Sequence, residues 1–186
     1  MKSRNLSASE IEHPLHQLFL SELANMYSAE TQLAKALPLM AKAAQSEDLK
    51  ELLETHLEET TGHAYAAEQI ADSLGVRLRK KTSYGMRGLL REGVVATLKN
   101  IKSPVLDAAL IAAARKIEHY EIASYGTLCR WAREMGYLHE LAILISTLNQ
   151  EKLAHTLLTE LAEGAGPLKE VVRHASQRKI RAAVAA

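Results

Sequence analysis

Apolar residues recur every three or four positions along four long stretches of this chain, the pattern of helices that bury one face. The first stripe is Leu15, Phe19, Glu22, Met26, Glu30, Leu33, Leu37 and Met40, which predicts a helix from His13 or Pro14 to Ala44. Ser46 is placed to cap a second helix, with Glu47 and Asp48 favourable in its first turn and Gly75 suited to end it. Ser103-Pro104 suits the start of a third, striped by Leu106, Leu110, Ala114, Ile117, Glu121, Tyr125 and Leu128 and ending near Gly136. A fourth runs from about Tyr137 to Glu163. Short connections inside each pair predict two antiparallel hairpins. Between them, positions 76–102 form a long crossover whose Met86, Leu89, Leu90, Val94 and Leu98 predict a short helix, against the weakening effect of Gly85, Gly88 and Gly93.

The predicted fold is therefore all-α, a ferritin-like four-helix bundle over residues 13–166, with an N-terminal extension at 1–12 and a basic C-terminal tail at 167–186.

Carboxylates interrupt these apolar faces. Glu59-Thr-Thr-Gly-His63 returns ninety-two residues later as Glu151-Lys-Leu-Ala-His155. A four-residue step turns a helix by about 40° and climbs about 6 Å, so Glu and His share a face in both copies. A buried carboxylate without a partner costs several kcal/mol, and two matching pairs in positions meant for leucines point to a metal site. Glu30 on the first stripe, and Glu118 or Glu121 on the third, supply the further acids. The candidate ligands are thus Glu30, Glu59, His63, Glu118, Glu121, Glu151 and His155. Four glutamates carry −4, which two divalent cations would neutralise. Bundles of this kind hold two metals with a Glu from each of two helices and a Glu/His pair from each of the others, spaced by three rather than four. That difference makes the glutamates Glu59 and Glu151 firmer candidates than the two histidines. His56, one turn before Glu59, is expected inside as an orienting group or as packing; His119 is expected to point away. Tyr27, Tyr120, Tyr125 and Trp131 are expected in the core or an interface.

Composition narrows the class. With 186 residues the chain can bury a real core. No apolar run approaches a membrane span, positions 1–12 lack a signal core, and the single Cys129 fits a reducing compartment. The expected localisation is cytoplasmic. Net charge is +1, but the crossover sums to +7 and the tail to +4, leaving −10 on the rest. Such segregation suits an acidic partner, including nucleic acid. No groove-reading motif accompanies it, so a solvated face or a subunit contact is the simpler expectation.

Four blocks resemble the bacterial YciE/YciF stress-protein family: Leu-Phe-Leu-Ser-Glu-Leu with Tyr-Ser-Ala-Glu-Thr-Gln-Leu within 18–33, His-Leu-Glu-Glu-Thr at 56–60, the long block 107–126, and Gln-Glu-Lys at 150–152. The resemblance covers about 13–175 and implies a cytoplasmic, ferritin-like helical bundle, usually dimeric, with a di-metal centre. The expected function is a di-iron carboxylate protein, with manganese as the other metal considered, that handles peroxide, dioxygen or iron. The competing expectation is a structural or metal-holding stress protein without turnover, contacting an acidic partner through its basic segments. A homodimer, rather than a cage, is expected from the apolar residues of the crossover.

Overall fold

The computed structural model describes residues 13–78, 81–101 and 103–163. The extension 1–12 and the basic tail 167–186 fall outside them. Five helices and no strand occur among the described residues: α1 (Pro14–Ala43), α2 (Glu47–Ser73), α3 (Tyr84–Asn100), α4 (Leu106–Glu134) and α5 (Leu138–Ala162). No helix among them is long and apolar enough to cross a membrane.

The helix ends follow local chemistry. His13 caps α1 through its ring nitrogen, with Pro14 in the first turn, and the Ser46 hydroxyl accepts from Leu49 N at the start of α2. Gly75 and Gly136 close α2 and α4 with φ of 71° and 67°. In both, the glycine N–H and the next residue's N–H return to carbonyls in the last turn, Asp72 and Ala71 in one case, Arg133 and Ala132 in the other. The start of α4 differs from expectation. The Ser103 hydroxyl accepts from Val105 N only two residues on, making a turn over 103–105, and the helix begins at Leu106.

Contacts at the ends set helix directions. The Asp107 carboxylate at the start of α4 accepts from Gln45 N and Ser46 N (2.8 and 2.7 Å), in the loop joining α1 to α2. At the opposite end, Ser73 of α2 donates to Glu140 of α5 (2.7 Å), and His16 of α1 bonds the Tyr137 hydroxyl before α5 (2.8 Å). Each hairpin is thus antiparallel, while α2 and α4 run the same way. A connection that reverses direction must travel the length of α2, about 40 Å for its 27 residues; this is the job of the crossover. α1 packs on α2 and α4, and α5 packs on α2 and α4, closing a ring around a core of Phe19, Leu23, Met26, Leu33, Leu49, Ile70, Leu110, Ile117, Leu128 and Leu144.

The crossover helix α3 is longer than its glycines predict. Two of them permit close approach: a Cβ on Gly85 would lie 2.9 Å from the Tyr120 ring, and one on Gly93 would lie 3.2 Å from Ala113 Cβ. α3 lies across α1 and α4 and fully buries only Met86. Val94 and Leu98 remain 57% and 64% exposed beside Leu39 of α1, above an apolar cleft of about 210 Å³.

Candidate metal centre

Midway along the ring of helices the core turns polar. Glu30 (α1), Glu118 and Glu121 (α4) and Glu151 (α5) are each 1% exposed or less, and His56 and His63 (α2) are buried with them. Helical periodicity puts them there: Glu30 continues the line of Met26 and Leu33, Glu121 that of Ile117 and Tyr125, Glu151 that of Leu144 and Leu158.

The six side chains form two groups whose donor atoms lie within 4.8 Å of one another: His56, Glu118, Glu121 and Glu151 in one, Glu30, His63 and Glu151 in the other. Glu151 belongs to both. His63 Nδ1 is 2.7 Å from one Glu151 oxygen and 3.8 Å from Glu30, while His56 Nε2 is 3.2 Å from Glu118 and 4.0 Å from the second Glu151 oxygen. These are ion contacts without hydrogen-bond alignment. Both oxygens of Glu121 and of Glu151, Oε2 of Glu30 and of Glu118, both nitrogens of His56 and Nδ1 of His63 are buried without a hydrogen-bond partner. Buried polar atoms seldom stay so, and convergent carboxylate oxygens and imidazole nitrogens make a donor set able to hold metal ions.

Neighbouring side chains orient the ligands. The Tyr125 hydroxyl, fully buried, donates to Glu30 Oε1 (2.5 Å), leaving Oε2 facing the cluster. Gln150 Oε1 accepts from His63 Nε2 (3.1 Å) and its amide nitrogen reaches Glu59 (3.5 Å). With Nε2 so engaged, Nδ1 is the nitrogen turned inward.

Without metal the cluster is electrostatically loaded. Burial, then the carboxylates of Glu30, Glu151 and Glu118, push the Glu121 carboxyl well above its ordinary range. Burial likewise raises Glu30 and Glu151, and His63 partly offsets the rise in each. Burial works against a charged His63, but contact with Glu151 and Glu30 outweighs it and brings the imidazole up to about 10. His56 is raised for the same reason, by Glu118, Glu59 and Glu151.

Of the candidate ligands, Glu30, His63, Glu118, Glu121 and Glu151 are brought together. Glu59 lies at the rim: its side chain is 14% exposed, 3.7 Å from His56 Nδ1, outside both groups. His155 is also outside them; half-buried, it rests against His119 with ring centroids 4.3 Å apart. The second imidazole of the cluster comes from His56. The sequence signal for it was the seven-residue step to His63, which returns to within about 20° of the same face, closer than a four-residue step. Tyr125 sits in the core as expected, with the added role of holding Glu30. Glu22 is spent elsewhere, accepting from Asn25 (3.2 Å).

Residues 14–173 match the family described as Domain of unknown function (DUF892). The chain belongs to the DUF892 family. It is 40% identical to Protein YciF of Escherichia coli (strain K12) over 149 residues, 80% of this chain and 90% of that protein. The crystal structure of that E. coli stress protein matches with a TM-score of 0.74 over 80% of this chain and 94% of its own. YcfI of Rhodopseudomonas palustris matches with a TM-score of 0.75 at 36% identity, covering 83% of this chain and 98% of the other. Protein XCC3681 of Xanthomonas campestris pv. campestris, 19% identical, shares the fold (TM-score 0.65, covering 89% of this chain and 99% of its own). The resemblance drawn from the four sequence blocks and these comparisons agree on the YciF family.

Proposed function

We propose that this protein is a di-metal, in practice di-iron, carboxylate protein of the stress response, built as a ferritin-like four-helix bundle and handling peroxide, dioxygen or iron. The observation that carries this reading is the pair of overlapping donor groups sharing Glu151, whose buried oxygens have no hydrogen-bond partner. Four buried carboxylates carry −4, matched by two divalent cations. Four carboxylates with two imidazoles favour iron or manganese over zinc, whose sites use four ligands and prefer Cys or His.

Glu30 and His63 would hold one ion, and His56, Glu118 and Glu121 the other, with Glu151 between them. When bound, two ferrous ions supply two electrons to peroxide or dioxygen. Tyr125 keeps Glu30 in place, Gln150 fixes the inward nitrogen of His63, and the leucines above and below exclude bulk water. Cys129 is the chain's single cysteine, so no Cys-rich electron-donor centre is present and turnover draws on an external reductant. The stress role is carried over from the E. coli relative. The exposed apolar side of α3 and the cleft beneath it are assigned to a homodimer contact.

Loading with Fe(II) without oxygen, desalting, and measuring iron and peroxide consumption tests the proposal. The expected result is two iron ions per chain and about one peroxide consumed per two Fe(II) oxidised. Folded protein that retains no iron would refute the site. Bound iron without peroxide or dioxygen consumption would leave the competing reading, a metal-holding stress protein without turnover.

A further inference from the structure

His155 and His119 meet between α5 and α4 in surroundings opposite to those of His56 and His63. Among the described residues no acidic side chain lies within ion-pair distance of either ring, whereas each interior histidine touches carboxylates. His155 rests against His119 with ring centroids 4.3 Å apart, and the Arg115 guanidinium is the permanent positive charge acting on it. Arg115 lies four residues before His119 on α4, so the two share a face. Two atoms there are buried without a hydrogen-bond partner: Nε of Arg115 and Nε2 of His155.

Beside Arg115 a cavity of about 330 Å³ opens between the first turns of α4 and the last turn of α5, lined by Ala108, Ile111, Ala112 and Leu161. Asp107 also borders it, but both its oxygens accept backbone N–H groups from the α1–α2 loop. An arginine Nε–H is a donor and never an acceptor. A cation cannot satisfy it; an acceptor can, and the positive surroundings select a negatively charged one.

We infer that Arg115, His119 and His155 form an oxyanion site on the α4–α5 hairpin, suited to a phosphate group whose organic remainder lies in the adjoining cavity. The guanidinium offers the planar fork that matches phosphate oxygens, and the imidazoles add donors, His119 from the same helix and His155 from α5. Beyond Arg115 and Asp107 the wall is formed by Ala108, Ile111, Ala112, Leu161 and Ala162, so a phosphate monoester with a small uncharged body fits better than free phosphate. This site is separate from the metal centre and stands whether or not iron is bound.

Calorimetric titration of the full chain, as purified and at fixed ionic strength, with inorganic phosphate and with glycerol phosphate tests it. Saturable binding of one phosphate per chain is expected, tighter for the ester. Arg115→Gln should weaken it about tenfold or more, with partial recovery in Arg115→Lys. His119→Asn, at an exposed position, should weaken it less and serves as the test if Arg115→Gln does not fold. Binding unchanged in Arg115→Gln and His119→Asn would overturn the site and move the anion to the basic tail. Loss of phosphate binding in Glu151→Gln, with Arg115→Gln unaffected, would overturn it in favour of the metal centre. Zn²⁺ binding in place of phosphate, abolished by His155→Asn alone, would replace it with a cation site. Equal affinity for phosphate and ester would refute the role of the cavity.

Discussion

The same five-residue pattern, Glu-x-x-x-His, has opposite outcomes on α2 and α5. On α2 the histidine, His63, is buried at the heart of the cluster, and Glu59 stands at its rim. On α5 the glutamate, Glu151, is fully buried, while His155 turns toward His119. Four residues rotate a helix by about 40°, so when one member points at the bundle axis the other points beside it. The two helices are rolled differently about their own axes. α2 centres His56 and His63, a seven-residue step, whereas α5 centres Leu144, Glu151 and Leu158. An internal repeat in sequence therefore does not imply a repeat in ligation. It marks the helices and the depth of the site and leaves open which member of each pair faces in.

This contrast can be broken most severely through metal content. Glu151→Gln, which touches both donor groups, should lose most of the iron that the unaltered protein retains after loading and desalting. Glu59→Gln should retain most of it. Equal losses in the two variants would mean that the repeat is symmetric after all.

Stability of the metal-free protein separates the two histidines. His63→Ala leaves Glu30 and Glu151 buried without their compensating cation and should cost about 3–5 kcal/mol in urea unfolding. His155→Ala should cost about 1 kcal/mol or less, as at ordinary half-buried positions.

The pH dependence should differ in sign as well as size. The folded pKa of His63, about 10, lies above its ordinary 6.5. Its stabilisation is complete below pH 6.5 and lost as pH rises toward 10. The raised carboxyls of Glu121, Glu30 and Glu151 act in the same direction, beginning above the ordinary carboxyl range. Thermal midpoints of metal-free protein should therefore fall between pH 6 and pH 9, and His63→Ala should flatten that fall. His155 is lowered by burial, His119 and Arg115, so it contributes the reverse: a small gain in stability as pH rises toward 6.5, absent in His155→Ala. Iron-loaded protein should gain most in midpoint at the alkaline end.

The smallest effect concerns what the hairpins share. Gly75 and Gly136 close α2 and α4 through the same pair of backbone bonds at nearly the same φ. Gly75→Ala and Gly136→Ala should each cost about 1 kcal/mol in chemical denaturation, and by similar amounts.

The hairpins, the crossover and four buried glutamates were legible in the chain because each depends on local order. Apolar spacing sets helices, Ser46 and the two glycines set ends, and a carboxylate in the middle of a stripe such as Glu30 or Glu121 must go where the stripe goes. His56 shared that legibility through its seven-residue step to His63, yet the more conspicuous four-residue repeat drew attention to Glu59 and His155. α4 starts two residues later than Ser103-Pro104 predicts, because the Ser103 hydroxyl can serve either a turn or a cap and the sequence does not choose between them. Two of the glycines of α3, Gly85 and Gly93, look like helix breakers and are explained only by Tyr120 and Ala113, thirty-five and twenty residues further along the chain.

By itself, then, the sequence determined that four amphipathic helices would bury carboxylates at one level, since burial of a stripe is a local consequence of its spacing. Tertiary structure alone decided which of those groups would meet. The roll of each helix about its axis depends on how its ridges fit those of its neighbours, and a roll of 40° exchanges a glutamate for a histidine at the centre.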